Sequence, residues 1–242
     1  MKDSKKGFLK CLEKISYSRR ISEVFDDFIQ ISSCAFARGS MEDMYFSVIK
    51  KYSTEDLQLF CEALANMMNE YEVGSNDCGT WCDILGDVYE EIGHGNSSTG
   101  QFFTPIALCN LMAQMTVAEN DNASCYDPAC GSGRNLVAHS RLNTQNRLNV
   151  FYVASDIDIR CVNMTILNYI MYGMKGIVFH MNTITLEIFG GYRVYLAETA
   201  LGIQPLSIDE CKSYFFNKKN EPKIILNQPI KKEIIQLNLF DF

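Results

Sequence analysis

Asp127-Pro128-Ala129-Cys130-Gly131-Ser132-Gly133 is the stretch that decides the fold of this 242-residue chain. It follows a short run, Ser124-Cys125-Tyr126, and leads into a segment with helical spacing, Arg134 to Arg141. A strand ending in an acid, a two-glycine turn and a helix form a nucleotide-binding arrangement, because glycines let the backbone approach a ligand closely. The spacing is Gly-x-Gly, with no third glycine and no Gly-Lys-Ser/Thr, which argues against dinucleotide and P-loop sites.

A second polar segment, Gly100-Gln101-Phe102-Phe103-Thr104-Pro105, stands upstream of this turn. Pro105 is typical of the first turn of a helix, and the apolar spacing from Ile106 to Met115 predicts that helix. Thr104 is then predicted at the N-cap, where backbone N–H groups and the helix dipole favour an anion. Its role is therefore capping, anion binding or both.

A nearly continuous apolar run downstream, residues 149–155, predicts a buried parallel strand. It ends at Asp156, at about the spacing from the glycine turn where an acid meets ribose hydroxyls in nucleotide-binding folds. Asp158 is predicted to begin the next helix, residues 159–174, and residues 177–180 predict a third strand. The connection that follows contains Gly190-Gly191 and polar residues, and we predict a long loop-rich segment up to residue 220.

Composition limits the protein class. With 47% hydrophobic residues the chain can bury one sizeable core, and it has no apolar run of membrane-spanning length and no signal region. We therefore expect a cytoplasmic protein whose ten cysteines are mostly reduced core residues. Cys78 and Cys82 lack further ligands nearby, which argues against zinc. The net charge of −7 disfavours strong autonomous DNA binding unless one face is basic.

The chain divides into three predicted parts. Residues 1–95 carry repeated helical spacing and predict a helical domain, and a Gly/Ser/Asn/Thr loop from Gly93 to Gly100 favours a boundary there. Residues 96–230 contain the strands and the glycine turn and predict an α/β domain. Residues 231–242 form a tail.

In these motifs and their order the chain resembles the N6-adenine DNA methyltransferases, especially the modification subunits of type I restriction systems. The resemblance runs from about residue 83 to residue 183 and rests on Gly-Gln-Phe-x-Thr-Pro followed by Asp-Pro-x-Cys-Gly-Ser-Gly. It implies a Rossmann-like methyltransferase core that binds S-adenosylmethionine. The residues that it assigns to the cofactor are Gln101, Phe103, Thr104, Asp127, Pro128, Cys130, Gly131, Gly133, Asp156, Ile157 and Asn182.

The chain departs from the family at two positions that matter for chemistry. Asn182 stands where the family usually has an Asp that accepts from the adenine amino group of the cofactor, and an Asn carbonyl accepts such a bond more weakly. The family's Asp/Asn-Pro-Pro-Tyr/Phe segment is reduced to Asn227-Gln228-Pro229-Ile230. Asn227 and Pro229 are the catalytic candidates, but the aromatic ring that would stack on a flipped adenine is missing. An ordinary turn is an equal alternative for this segment.

The chain ends within sixteen residues of this segment, which leaves no room for further strands or a target-recognition region. We therefore expect a truncated core, with a second subunit supplying the missing parts. The last residues resemble the Gln-Leu-x-Leu-Phe peptide by which bacterial proteins bind the DNA polymerase sliding clamp, with contacts predicted for Gln236, Leu237, Leu239 and Phe240. A final amphipathic helix or strand covering the sheet is the alternative.

Two functions follow from these observations. The intact cofactor motifs favour an adenine-specific DNA methyltransferase that acts on DNA with reduced activity. The degenerate catalytic segment favours a non-catalytic cofactor-binding module that is recruited to the sliding clamp. Methylation of RNA or protein is a third possibility for which no residue argues specifically.

Overall fold

The computed structural model describes residues 2–75, 81–93, 102–116, 124–142, 150–196 and 201–216. The first two ranges are helical, as the sequence predicts. Their helices are α1 (Lys2–Ile15), a short 3-10 turn (Ser16–Ser18), α2 (Ile21–Ala35), α3 (Glu42–Ile49), α4 (Thr54–Ser75) and α5 (Ile84–Glu91).

The start of α4 shows how local sequence sets these boundaries. The Ser53 hydroxyl accepts from the Asp56 backbone N–H at 3.2 Å, and an Asp56 carboxylate oxygen accepts from the Ser53 N–H at 3.2 Å. This reciprocal capping satisfies two donors that the helix cannot pair internally. The Ser53-x-x-Asp56 pattern therefore marks the start of α4.

The remaining described residues form an α/β unit with a five-stranded sheet in the order β1-β2-β3-β4-β5. The three parallel strands are β1, β2 and β3, and β4 and β5 continue the sheet in antiparallel fashion. Parallel strands joined by helices form a Rossmann-like α/β core, so the predicted fold class is confirmed. The bounds are α6 (Ile106–Thr116), β1 (Ser124–Asp127), α7 (Arg134–Leu142), β2 (Phe151–Asp156), α8 (Ile159–Met171), β3 (Gly176–Asn182), β4 (Glu187–Leu196), β5 (Leu201–Leu206) and α9 (Ile208–Phe216).

The hydrophobic core is continuous between the N-terminal helices and one face of the sheet. A single cluster of buried side chains includes Phe28 of α2, Tyr89 of α5, Tyr152 of β2 and Ile166 of α8. A smaller cluster on the other face joins Phe179 of β3 to α9. The helical region is therefore packed directly on the α/β unit, which brings α5 close to the glycine turn described below.

The prediction of a long loop after β3 is wrong for residues 187–196 and 201–216. These residues form β4, β5 and α9, and Gly190 and Gly191 lie within β4. Gly191 is paired with Phe179 of β3, and a Cβ there would lie 2.9 Å from the Cys211 Sγ of α9. The glycine serves close packing between a helix and a strand, whereas the sequence pattern alone indicates a turn.

Two further expectations concern cysteines and membranes. The cysteines that the structure describes are free thiols, and those in the core are Cys11, Cys34, Cys109, Cys130, Cys161 and Cys211. Burial raises the pKa of several of them, for example the Cys34 thiol to about 11, so they are protonated packing residues near neutral pH. No helix among the described residues combines the length and apolar character that a bilayer crossing requires.

Candidate cofactor site

The carboxyl ends of the three parallel strands carry three polar side chains at one edge of the sheet. Asp127 ends β1, Asp156 ends β2 and Asn182 ends β3. In open α/β sheets, ligands bind in the crevice outside these strand ends. Three of the residues that the sequence assigns to the cofactor therefore meet at the edge where chemistry is expected.

The glycine turn between β1 and α7 is held by backbone hydrogen bonds. The Cys130 N–H donates to the Ser155 carbonyl at 3.0 Å, and the Gly133 N–H donates to the Cys130 carbonyl at 2.8 Å. Gly131 and Gly133 have φ values of +55° and +87°, which side chains rarely tolerate. The two glycines are therefore required by the path of the turn.

Asp127 is half-buried, and its two carboxylate oxygens have separate partners. One accepts from the Ala129 N–H at 3.1 Å, and the other accepts from the Asn135 side-chain amide of α7 at 3.1 Å. Each carboxylate oxygen has a second lone pair, so the group can still accept from a cationic or hydroxylated ligand.

Asp156 links the glycine turn to the turn after β2. Its Oδ2 accepts from the Gly131 N–H at 2.9 Å, and its Oδ1 accepts from the Asp158 N–H at 2.9 Å. The residue is 9% exposed, and burial raises the pKa of its carboxyl group against the opposing effect of these backbone donors. Asp158 caps α8 by accepting from the Arg160 N–H at 2.9 Å, which confirms the predicted helix start.

The side chain of Asn182 is engaged with its own turn. Its Oδ1 accepts from the backbone N–H groups of Ile184 at 3.0 Å and Thr185 at 3.2 Å. Because those donors are backbone amides, they fix which end of the side-chain amide is oxygen, and the NH₂ group points away from them. The neighbouring Thr183 hydroxyl donates to the Pro128 carbonyl at 3.0 Å, which ties the end of β3 to the glycine turn.

Residues 102–105, which we call the strap, lie against the glycine turn. A Cβ on Gly131 would come within 2.7 Å of the Phe103 ring, so the turn and the ring are in direct contact. The Pro105 carbonyl accepts the first bonds of α6, from Leu108 at 2.9 Å and Cys109 at 3.0 Å. The helix thus begins one residue later than predicted, and Thr104 precedes the capping position.

Cys130 is directed away from the strand-end crevice. Its side chain is buried, with the Sγ 3.4 Å from the Thr165 Oγ1 of α8, and burial raises the pKa of the thiol well above its usual value. Ile157 is placed in the opposite way, with 57% of its surface exposed just after β2. Of these two assigned residues, only Ile157 presents its side chain to a ligand at this edge.

A buried polar cluster behind the turn was missed by sequence reasoning. Arg134, which directly follows the turn, pairs with Asp83 at 2.6 Å and with Asp87 at 2.7 Å. Asp83 also accepts from the Ser132 hydroxyl at 2.5 Å. The signal available in the sequence was an arginine directly after the glycine turn, together with an acid just before the apolar residues of α5.

Several predicted site residues lie outside the described residues. They are Gln101, the catalytic candidates Asn227 and Pro229, and the tail residues Gln236, Leu237, Leu239 and Phe240. Their roles stay predictions, as does the boundary placed in the loop after Gly93. Across the described ranges, no group of three or more His, Cys, Asp or Glu side chains is placed to hold a metal ion.

The part of the chain that carries this geometry matches a known family model. The model of N-6 DNA methylases matches residues 81–191, from just before α5 to the middle of β4. Residues 81–191 are similar to the N-6 DNA methylase family. The matched segment contains Asp127, the glycine turn, Asp156 and Asn182. The family implies S-adenosylmethionine as the cofactor, and the match favours the methyltransferase interpretation over a non-catalytic module.

Two curated relatives and one solved structure are similar to this chain. The methylase subunit of the type I restriction enzyme MpnII from Mycoplasma pneumoniae is 25% identical over 230 residues, which is 86% of this chain and 38% of that protein. The methylase subunit of the type I enzyme MjaVIII from Methanocaldococcus jannaschii is 32% identical over 97 residues, which is 38% of this chain and 16% of that protein. A Listeria monocytogenes structure assigned to the class I S-adenosylmethionine-dependent methyltransferases has a TM-score of 0.49 and 14% identity, covering 76% of this chain and 55% of that one. The chain thus spans well under half the length of the curated relatives it matches.

Proposed function

We propose that this chain is the cofactor-binding part of an S-adenosylmethionine-dependent methyltransferase that modifies the N6 amino group of adenine in DNA. The observation that carries the proposal is that Asp127, Asp156 and Asn182 end three adjacent strands beside a two-glycine turn, inside the segment that the N-6 DNA methylase model matches. The names of the curated relatives, both methylase subunits of type I restriction enzymes, support the same activity.

The residues at this edge fit a ligand that is both apolar and hydroxylated. Asp156 keeps lone pairs beyond its two backbone partners and suits ribose hydroxyls, while Asp127 suits a charged amino group. Ile157, the first residue after β2, and Ile184, the second after β3, are 57% and 94% exposed, respectively, and offer apolar surface to a flat base. The strap supplies Thr104 next to the start of α6, where a carboxylate is favoured.

S-adenosylmethionine would supply a methyl group on a positively charged sulfur, and the adenine amino nitrogen would accept it and release a proton. The chain's own contribution is positioning, because no covalent intermediate with the protein is needed. We propose Asn227 as the residue that accepts a hydrogen bond from the amino group, with Pro229 shaping the same segment. Oriented acceptors of this kind direct the nitrogen lone pair without any change of protonation in the protein.

The N-terminal helix supports DNA as the partner. Residues 1–20 contain seven Lys and Arg but only two acidic residues, although the whole chain has a net charge of −7. Lys6, Lys10 and Lys14 are exposed on α1 at a spacing of four, so they form a row with about 6 Å between neighbours. We call these three residues the basic row. A local basic row on an acidic protein can attract phosphates by releasing counterions.

A second subunit and the sliding clamp are further proposed partners. The relatives are themselves called subunits, which supports an assembly in which another chain completes the enzyme. The clamp rests only on the peptide at residues 236–240 and is independent of the methylase proposal.

The test of the proposed function is transfer of a tritiated methyl group from S-adenosylmethionine to unmethylated DNA, followed by nucleoside analysis. We expect label in N6-methyl-2′-deoxyadenosine, and we expect Asn227→Ala to lose it. Asn238→Ala, in the terminal tail, is the matched control and should keep wild-type transfer. Transfer to cytosine, or equal transfer by wild type and Asn227→Ala, would refute the proposal in this form.

A further inference from the structure

Asp83 is the centre of the buried polar cluster behind the glycine turn. It precedes α5 as its N-cap, is 1% exposed, and accepts four hydrogen bonds. Its Oδ1 accepts from the Gly86 N–H at 3.0 Å and from the Asn168 side-chain amide of α8 at 3.0 Å. Its Oδ2 accepts from the Ser132 hydroxyl at 2.5 Å and from the Arg134 Nε at 2.6 Å. A carboxylate has about four acceptor sites, so Asp83 has none left for a ligand.

Arg134 connects Asp83 to the strap. Its Nη2 lies 2.7 Å from an Asp87 oxygen and 3.3 Å from a Glu90 oxygen, and its guanidinium carbon lies 5.2 Å from the centre of the Phe103 ring. The other Glu90 oxygen accepts from the Phe103 backbone N–H at 3.1 Å. Burial alone lowers the pKa of the Arg134 guanidinium, but the charges of the nearby carboxylates outweigh it and raise the pKa, so the group stays charged.

The glycine turn is supported by the buried polar cluster on one side and contacted by the strap on the other. On one side, Asn168 donates to the Ser132 carbonyl at 2.7 Å and Tyr71 donates to the Asn168 oxygen, so α4 and α8 both support the turn. On the other side, the Phe103 ring touches Gly131. A shift of Ser132 would therefore move the backbone on which the proposed ligand-binding atoms lie.

We propose that Asp83 and Arg134 are positioning residues, which fix the separation between the glycine turn and the strap before the cofactor binds. This inference deepens the proposed function and rests on it for the identity of the cofactor. Neither residue contacts the ligand; both act through Ser132, Gly131 and Phe103. Preorganisation of this kind raises affinity because the ordering cost is met during folding.

The test compares Asp83→Asn and Ser132→Ala with the control Asp27→Asn. Asp27 is also a buried acid with an ion pair, accepting from the Tyr52 hydroxyl at 2.7 Å and from Lys51 at 3.0 Å, but it lies in α2 away from the turn. Asp83→Asn keeps the size of the side chain but replaces one acceptor oxygen by an NH₂ group. Two donors then lose their acceptor, either Ser132 with Arg134 or Gly86 with Asn168. Ser132→Ala removes one donor only and is the milder variant, should Asp83→Asn not fold.

Two measurements are made at a temperature where every variant is folded. The first is hydrogen–deuterium exchange of the ligand-free proteins, in which we expect residues 102–104 and 131–134 to exchange about tenfold faster in Asp83→Asn and Ser132→Ala but not in Asp27→Asn. The second is calorimetric titration with S-adenosylmethionine, in which we expect Kd to rise about tenfold or more for Asp83→Asn, since charge-assisted hydrogen bonds are lost, and to stay unchanged for Asp27→Asn.

The outcomes separate the two proposals. Unchanged exchange at the turn and the strap in both test variants would overturn the positioning role, as would faster exchange with unchanged affinity. If the wild-type protein binds no S-adenosylmethionine, the proposed function fails, while the exchange comparison still decides whether Asp83 fixes the turn.

Discussion

The Oδ2 of Asp156 accepts a hydrogen bond of 2.9 Å from the backbone N–H of Gly131. The residue at the end of β2 therefore holds the glycine turn after β1, although the two are 25 positions apart in sequence. Asp156 has two roles in our account, because it braces the turn and keeps lone pairs for ribose hydroxyls. The affinity for a nucleoside ligand and the shape of the turn are consequently coupled through one carboxylate.

Replacing Asp156 by Asn should weaken cofactor binding. The amide has one oxygen, so either the Gly131 N–H or the Asp158 N–H loses its acceptor, and a ribose hydroxyl loses a charged partner. We expect the Kd for S-adenosylmethionine in calorimetry to rise by about 10- to 100-fold. Asp43→Asn, at an exposed position of α3, is the control and should bind as the wild type does. Equal Kd values for the wild type, Asp156→Asn and Asp43→Asn would show that Asp156 does not bind the cofactor.

The side-chain NH₂ group of Asn182 should donate a hydrogen bond to the adenine of the cofactor. Its oxygen is occupied by the Ile184 and Thr185 N–H groups, which leaves its NH₂ group for the ligand. Asn182→Asp keeps those two bonds but places a carboxylate oxygen where the NH₂ group stood, so we expect Kd to rise by about tenfold. A lower Kd in the Asp variant would show instead that position 182 accepts from the adenine amino group, as the sequence alone suggests.

The basic row on α1 should contribute to DNA affinity. Replacing Lys6, Lys10 and Lys14 together by Gln removes three exposed positive charges. The slope of log K against log salt concentration, which is negative, should then become smaller in magnitude by about 2 to 3. The matched control replaces Arg38, Lys50 and Lys212, which are also exposed, and changes the net charge equally. If the magnitude of this slope decreases equally in both triple variants, the net charge of the protein rather than the basic row governs DNA binding.

Asp26 should make the protein more stable at mildly acidic pH. Burial raises the pKa of this carboxyl group from 3.8 to about 6, despite the opposing charge of Arg160. The folded state therefore binds more protons than the unfolded state between about pH 4 and 6, and this carboxyl group contributes less stability as the pH rises through that window. Asp26→Asn should raise the free energy of unfolding at pH 7.5 by on the order of 2 kcal/mol, with the difference vanishing near pH 4. Urea titrations at both pH values measure this change in the free energy of unfolding. An Asp26→Asn variant that is less stable than wild type at pH 7.5 would contradict the raised pKa of Asp26.

Local chemistry made one part of the site predictable. The glycine turn, the acids that end β1 and β2, and the Asp158 cap each follow from a few adjacent residues whose backbone requirements are specific. The predicted strands, with the helices that follow β1 and β2, therefore appear in the structure with boundaries shifted by three residues or fewer.

Distant pairing made the rest unpredictable. The β4–β5 hairpin depends on antiparallel contacts with β3, and its Gly190-Gly191 pair looks like a loop until Phe179 and Cys211 are placed beside it. Asp83 and Arg134 are 51 residues apart, and no periodicity links them. Their ion pair exists because the N-terminal helices share a core with the sheet, which is a tertiary property.

A crystal structure of the protein with S-adenosylhomocysteine tests the central claim most directly. We expect density at the carboxyl edge of β1, β2 and β3, with ribose hydroxyls within hydrogen-bonding distance of the Asp156 carboxylate and the base beside Ile157. An empty edge at saturating ligand, or density bound elsewhere on the chain, would contradict it.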